Sequence, residues 1–212
     1  NQDTTVTNGK ITMEKLKKGS YKIKEKKAPT GYLIDKNTYS IDVKANETSS
    51  KAITDLEPTG KISIKKTDIK TGNDNRLDGV AHHGDATLSG AVYTLYASND
   101  VYNVSKTIKY FSKDEEIATF KFDENGVSTI SITNRNTKAQ LFLDNNSLSG
   151  LPLSNYYAKE TSSPRGYKVD SSIYNYNLSY KDMNTSIISA SGVVSEDVQR
   201  AKFEVIKISS ND

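Results

Sequence analysis

One twelve-residue pattern occurs twice in this chain, and it constrains the fold more than any bulk property does. "YKIKEKKAPTGY" (Tyr21–Tyr32) and "YYAKETSSPRGY" (Tyr156–Tyr167) match without a gap. Tyr21 falls on Tyr156, Glu25 on Glu160, Pro29 on Pro164, Gly31 on Gly166 and Tyr32 on Tyr167. The register persists into the next strand, where Tyr39, Ile41 and Val43 align with Tyr174, Tyr176 and Leu178. A Pro-x-Gly turn alone is common; the same landmarks on both sides of it, twice, define an internal repeat. Alternation in the first copy places Tyr21, Ile23 and Glu25 on one face and Lys22, Lys24 and Lys26 on the other. The apolar pair marks the core face. Each glutamate is therefore aimed inward, where an unpaired carboxylate is costly.

A second repeat sets the unit length. "GKISIKKTD" (Gly60–Asp68) resembles "AKFEVIKIS" (Ala201–Ser209), with Lys66 falling on Lys207. The expected organisation has three parts. Residues 1–59 are the C-terminal half of one unit, 60–198 are a complete unit with inserted loops, and 199–212 are the first strand of a following unit. The chain then reads as a fragment of a longer tandem array.

Composition narrows the class. Tyrosine is abundant and tryptophan and cysteine are absent, while Ser, Thr, Asn and Asp separate short Ile/Val/Tyr-rich runs. This is an all-β signature. Expected strands include "KISIKKT", "GAVYTLYA", "IATFKF", "GVSTISI", "YYAKET", "IYNYNLSY" and "AKFEVIKI", with turns at "DENG" and "PRG". The absence of cysteine removes disulfide stapling and thiol catalysis. A net charge of +3, with lysines spread along strands, reads as a solvated face and not a nucleic-acid surface. No run approaches a membrane span, and no signal peptide is visible. With an expected start in mid-unit, that says nothing about export.

The combination "GKISIKKTDIKTG", "LSGAVYTLYA" and "LPLSNYYAKETSSPRGY" resembles the Cna protein B-type, or SpaA-like, domain of Gram-positive surface proteins. That pattern has a first-strand lysine before an Asp-x-x-Thr-Gly turn, a Gly-Ala-x-aromatic second strand and a Glu-x-x-x-Pro-x-Gly-Tyr box. The resemblance implies tandem transthyretin- or immunoglobulin-like β-sandwich domains in the stalk of a pilin or adhesin. It implies an extracellular, cell-wall-anchored location, with neighbouring repeat domains as partners and no cofactor.

Many members of this family form a self-catalysed isopeptide bond between a first-strand lysine and an Asn or Asp on the last strand. Residue by residue, the resemblance makes Lys66 the lysine and Glu160 and Glu25 the promoting glutamates. Asp197 is the expected acceptor; Glu196 is the other side chain of suitable chemistry nearby, and Asn184 stands at the start of that strand. In the first half-unit Asp55 lies near the acceptor position, and its lysine would precede Asn1. The chemistry needs an amine made neutral by desolvation and a carboxyl kept protonated by burial. Ile62 and Ile64 share a face with Lys66, which favours it over Lys65 as the inward lysine.

Other motifs carry less. His82 and His83 are adjacent, so on an extended chain they point apart and make poor joint metal ligands. "DNRLDGVAHHGD" (Asp74–Asp85) imitates a calcium loop, but Arg76 takes a ligand position and Asp85 replaces the terminal glutamate. "LPLSN" lacks the Thr-Gly step of a sorting signal, and Leu151 aligns with Leu16 as a strand residue. There is no phosphate loop or nucleophile elbow. A turnover enzyme is not expected, only a single self-reaction. The alternative reading is a ligand-binding adhesin module. Its inserted loops, "RLDGVAHHGDA" and Asn99–Asn146, would hold a host matrix protein or glycan, with Tyr102, Tyr110 and Phe111 offered as aromatic anchors, although Tyr110 and Phe111 read better as plain strand residues. A third reading is an accessory domain of a secreted carbohydrate-active enzyme.

Overall fold

The structure is a computed structural model that describes residues 4–6, 9–68, 87, 89–197, 199 and 202–207. His82, His83 and the 74–85 segment lie outside the described residues. The described strands are, in chain order, β1 (Gly19–Lys24), β2 (Thr38–Val43), β3 (Thr59–Asp68), β4 (Val92–Ala97), β5 (Val101–Tyr102), β6 (Lys109–Phe111), β7 (Glu116–Phe122), β8 (Ser128–Ile132), β9 (Phe142–Leu143), β10 (Leu148–Leu151), β11 (Asn155–Ser162), β12 (Tyr174–Asn177) and β13 (Ile187–Glu196). The fold is all-β.

From β3 onward the chain builds a two-layer sandwich. One sheet runs β13-β3-β10-β9 and the other β12-β11-β4-β7-β8. Strand alternation supplies the filling between them. Ile62, Ile64, Leu148 and Val194 come from the first sheet; Tyr93, Leu95, Phe120, Tyr156 and Tyr176 come from the second, and all are buried. Tyr93 meets Phe122 edge-to-face at 5.9 Å, a favoured arrangement for ring quadrupoles. Gly192 in β13 is a spatial necessity: a Cβ there would lie 2.5 Å from the Tyr176 hydroxyl oxygen.

The pairing of β3 with β13 matters most for the site. The two strands are parallel along their whole length, from Thr59 beside Ile187 to Asp68 beside Glu196. Lys66 lies opposite Val194. Residues two positions apart share a face, so Glu196 is the diagonal neighbour of Lys66 on the inner side.

The first 59 residues contribute the β1–β2 hairpin, which reproduces the β11–β12 hairpin. Tyr21 pairs with Ile41 as Tyr156 pairs with Tyr176. The turns repeat as well. Tyr32 N–H donates to Pro29 O at 3.1 Å, and Tyr167 N–H donates to Pro164 O at 3.2 Å. Gly31 and Gly166 hold φ of +97° and +84°, a region that disfavours any side chain.

One local expectation needs correction. Residues 202–207 form no strand and are exposed, with Phe203 at 87%. Their counterpart β3 is held by β10 and β13, which follow it far downstream in its unit, and a strand without ladder partners does not form. Within the inserted Asn99–Asn146 stretch, Tyr110 and Phe111 are strand residues of β6, as the preferred reading has them, and Phe111 is a core residue at 1% exposure. Tyr110 packs half-buried against the same core, leaving Tyr102 as the exposed ring of the three.

Candidate functional site

The site grows from alternation on two strands. Along β3, Ile62, Ile64 and Lys66 point inward, and Lys65 is exposed. Lys66 is fully buried, at 0%. Along β13 the inward positions end in Val194 and Glu196, the latter 1% exposed. The Lys66 ammonium donates to Glu196 Oε1 inside the sandwich. It also sits 5.7 Å from the centre of the Tyr93 ring and 6.0 Å from that of Tyr167. Those faces suit a cation withdrawn from water.

Glu160 enters from β11 and is 7% exposed. Its Oε2 accepts the Asp170 N–H at 2.5 Å. Its Oε1 and Glu196 Oε2 are both buried and accept from no N–H or hydroxyl group among the described residues. Burial, reinforced by the adjoining Glu196 carboxylate, pushes the Glu160 carboxyl up to about 8. At neutral pH it therefore carries a proton that the neighbouring carboxylate can accept. Burial pulls Lys66 below the ordinary lysine range, with Glu196 opposing that shift.

A third carboxylate frames the pair. Burial raises Asp170, but hydrogen bonds from Tyr174, Ser172 and Tyr93 outweigh it and hold the group below its usual value. The Tyr174 hydroxyl donates to Asp170 Oδ2 at 2.6 Å. The Tyr93 hydroxyl lies 3.1 Å from that oxygen and 3.3 Å from Glu196 Oε1. Asp170 thus orients Glu160 through its backbone and Tyr93 through its side chain. Among the described residues, no cluster of His, Cys, Asp and Glu could hold a metal ion.

The structure brings Lys66 and Glu160 together. It places Asp197 elsewhere. Asp197 follows Glu196 on the outward side, where its side chain is 41% exposed and pairs with Lys168 at 3.0 Å. The carboxylate on Lys66 is that of Glu196, and the reason is strand parity. Asn184 is exposed in a turn, its N–H bound to Asp182 at 2.8 Å. Asp170, Tyr174 and Tyr93 were not singled out from the sequence. The signal for two of them was present, since Asp35 and Tyr39 stand at the matching places in the first copy.

Glu25 repeats the local geometry without the enclosure. Its Oε2 accepts the Asp35 N–H at 2.6 Å, and Tyr39 donates to Asp35 at 2.5 Å. It is only half-buried, and Ile23 on the same face is 37% exposed. Asp55, the counterpart of Glu196 in the Gly60/Ala201 register, is exposed. Lys207 is exposed too, so neither unit end is assembled around a lysine here.

Comparison with known proteins agrees with this architecture. Residues 1–57 match the family model of SpaA, a prealbumin-like fold domain. The first copy of the box lies within the matched residues, and the second, outside them, repeats its landmarks. The Bacillus anthracis TIE protein has a similar structure, at 24% identity and a TM-score of 0.50, over 85% of this chain and 26% of that one. BcpA, the major pilin subunit of Bacillus cereus, aligns at 16% identity and a TM-score of 0.39, over 81% of this chain and 40% of its own. A C-terminal fragment of the pilus adhesin SpaC from Lactobacillus rhamnosus GG aligns at 14% identity and a TM-score of 0.42, over 89% of this chain and 80% of the fragment. The chain spans about a quarter of the first of these proteins. No curated protein sequence matches it.

Proposed function

We propose that this chain is a structural stalk segment of a cell-wall-anchored bacterial surface adhesin or pilin. Its middle unit is tied by a self-formed isopeptide bond between Lys66 and Glu196. The observation that carries the reading is the fully buried Lys66–Glu196 contact beside the protonated Glu160. An ion pair so deeply buried gains little as an ion pair, because desolvation offsets most of the attraction. As a pair of reactants it is well placed.

The step balances without any other reagent. The Lys66 ammonium passes a proton to Glu196, leaving a neutral amine beside a neutral carboxyl. Nζ attacks Cδ of Glu196, and Glu160 donates its proton to the departing hydroxyl. Glu160 recovers a proton from the new amide nitrogen, and one water leaves. The Tyr93 hydroxyl, 3.3 Å from Glu196 Oε1, is positioned to hold the oxygen on which charge develops. Folding supplies the proximity.

The bond would join the first and last strands of the unit, the strands through which tension enters and leaves. Closing a loop between residues 130 apart stabilises by about 5 kcal/mol on the chain-entropy estimate. The deciding experiment is the intact mass of the folded chain, purified without added factors. A deficit of one water, absent from Lys66→Ala and Glu160→Ala, is expected. A tandem spectrum should place it between Lys66 and Glu196. The full calculated mass would overturn the covalent reading.

A further inference from the structure

The turn at the end of each glutamate box does more than close a hairpin. In the first copy it is a joint. Gly31 approaches Val104 so closely that a Cβ on it would lie 2.7 Å from Val104 Cγ1. Tyr32 O accepts the Tyr180 hydroxyl at 3.2 Å. Ile34 N–H donates to Met183 O at 2.9 Å, and Glu57 Oε1 accepts Val104 N–H at 2.9 Å. Four contacts from the first unit therefore grip two loops of the middle unit, the one after β5 and the one between β12 and β13. Backbone groups make up much of the grip, so it depends on the shape of the turn more than on side-chain identity.

The middle unit presents the same turn at its far end. Leu33 N–H donates to Leu56 O at 2.8 Å in the first copy, and Lys168 N–H donates to Asp197 O at 2.9 Å in the second. Gly166 stands in the place of Gly31 and Val169 in the place of Ile34. Tyr167 O, in the place of Tyr32 O, accepts Gln199 Nε2 at 3.0 Å, so the difference in cover lies beyond it, at the residue in the place of Ile34. Ile34 is half-buried in its joint, whereas Val169 is 65% exposed. An apolar side chain is thus left open on a surface whose duplicate is occupied.

We infer that the Gly166–Val169 turn is a docking face for a further unit of the same build, the one opened by the 201–209 segment. That unit would bring a loop residue in the role of Val104 against Gly166, and a loop carbonyl in the role of Met183 to Val169 N–H. The inference rests on the tandem-array reading and is independent of the crosslink. Successive units would then meet at one repeated angle, set by backbone contacts at each joint.

Amide hydrogen exchange tests this on two chains, the one described and the natural chain extended through the next unit. In the shorter chain Ile34 should be protected and Val169 should exchange freely. In the longer chain Val169 should slow by about tenfold or more, the measure of a formed contact. Val104→Ser, a change at a 40% exposed residue, should release Ile34 without altering the mass at Lys66. An unchanged Val169 rate in the longer chain would overturn the docking face, as would an Ile34 amide that exchanges freely in either chain. If the downstream sequence held no further unit, the array reading itself would fall, which is a separate result.

Discussion

The two glutamate boxes share their sequence landmarks, their strand register and their hydrogen bonds, yet differ in chemistry. Glu160 and Glu25 each accept a backbone N–H from an aspartate at equivalent positions, at 2.5 and 2.6 Å. Tyr174 and Tyr39 each cap that aspartate. Around Glu160, β3 and β13 close the space and supply a lysine and a second carboxylate. Around Glu25 nothing comparable encloses the group among the described residues, and it is half-buried. The box therefore builds a scaffold for a carboxyl group, and the first and last strands of the unit enclose it beside a lysine and a second carboxylate. Local sequence positions the group; long-range pairing tunes it.

This contrast can be broken in order of expected effect. Lys66→Ala should restore the full mass and strand Glu196 in the core, destabilising the middle unit by at least about 5 kcal/mol in denaturant titration. Glu160→Gln should also leave the chain uncrosslinked, for want of a proton donor, with a comparable loss of the covalent contribution. Glu25→Gln, at the half-buried copy, should change stability by no more than about 1 kcal/mol. A similar loss at both sites would mean that enclosure is not what separates them.

The pH dependence sharpens the same comparison. The raised Glu160 group is protonated below about 8 and loses its proton as pH rises through that value. When chain recovered unfolded and uncrosslinked is refolded at graded pH, mass spectrometry should show bond formation proceeding at neutral pH and falling away above about 8. A rate still rising well past that point would mean that lysine deprotonation alone is limiting. The smallest effect concerns the caps. In the unbonded Lys66→Ala background, Tyr174→Phe should cost about 1 kcal/mol, since it leaves the half-buried Asp170 carboxylate short of a donor. Tyr39→Phe should cost less than half of that, because water can replace the hydroxyl.

Much of this is legible in the sequence. The doubled box announced its own repeat, and Ile62 and Ile64 told which lysine of the Lys65–Lys66 pair faces inward. The acceptor was harder. Val193 and Val194 are both apolar, so the parity of "GVVSED" is ambiguous by alternation alone, and only the β3 register shows Val194 and Glu196 inward. Sliding the Gly60 and Ala201 segments over one another would have placed Asp55 on Glu196 and resolved it. Tyr93 could not be foreseen as part of the site. Its hydroxyl reaches the carboxylates because two sheets meet there, and no local pattern encodes that meeting. For 202–207 the strand propensity is real, but pairing is what makes a strand.

The parallel union of β3 with β13 has a consequence for timing. The first strand of the unit waits for the last, so the buried Lys66–Glu196 pair, proposed to react, joins residues separated by 130 positions. Such contacts are slow to form, and none of the intervening chain can substitute for them. A chain threaded outward unfolded would present Lys66 long before Glu196, with the lysine exposed to water and unreactive throughout. Reaction would begin only once both strands had been delivered and the inner layer had dried. The amide would then act as a date stamp, written once, on units whose synthesis, export and folding had all run to completion.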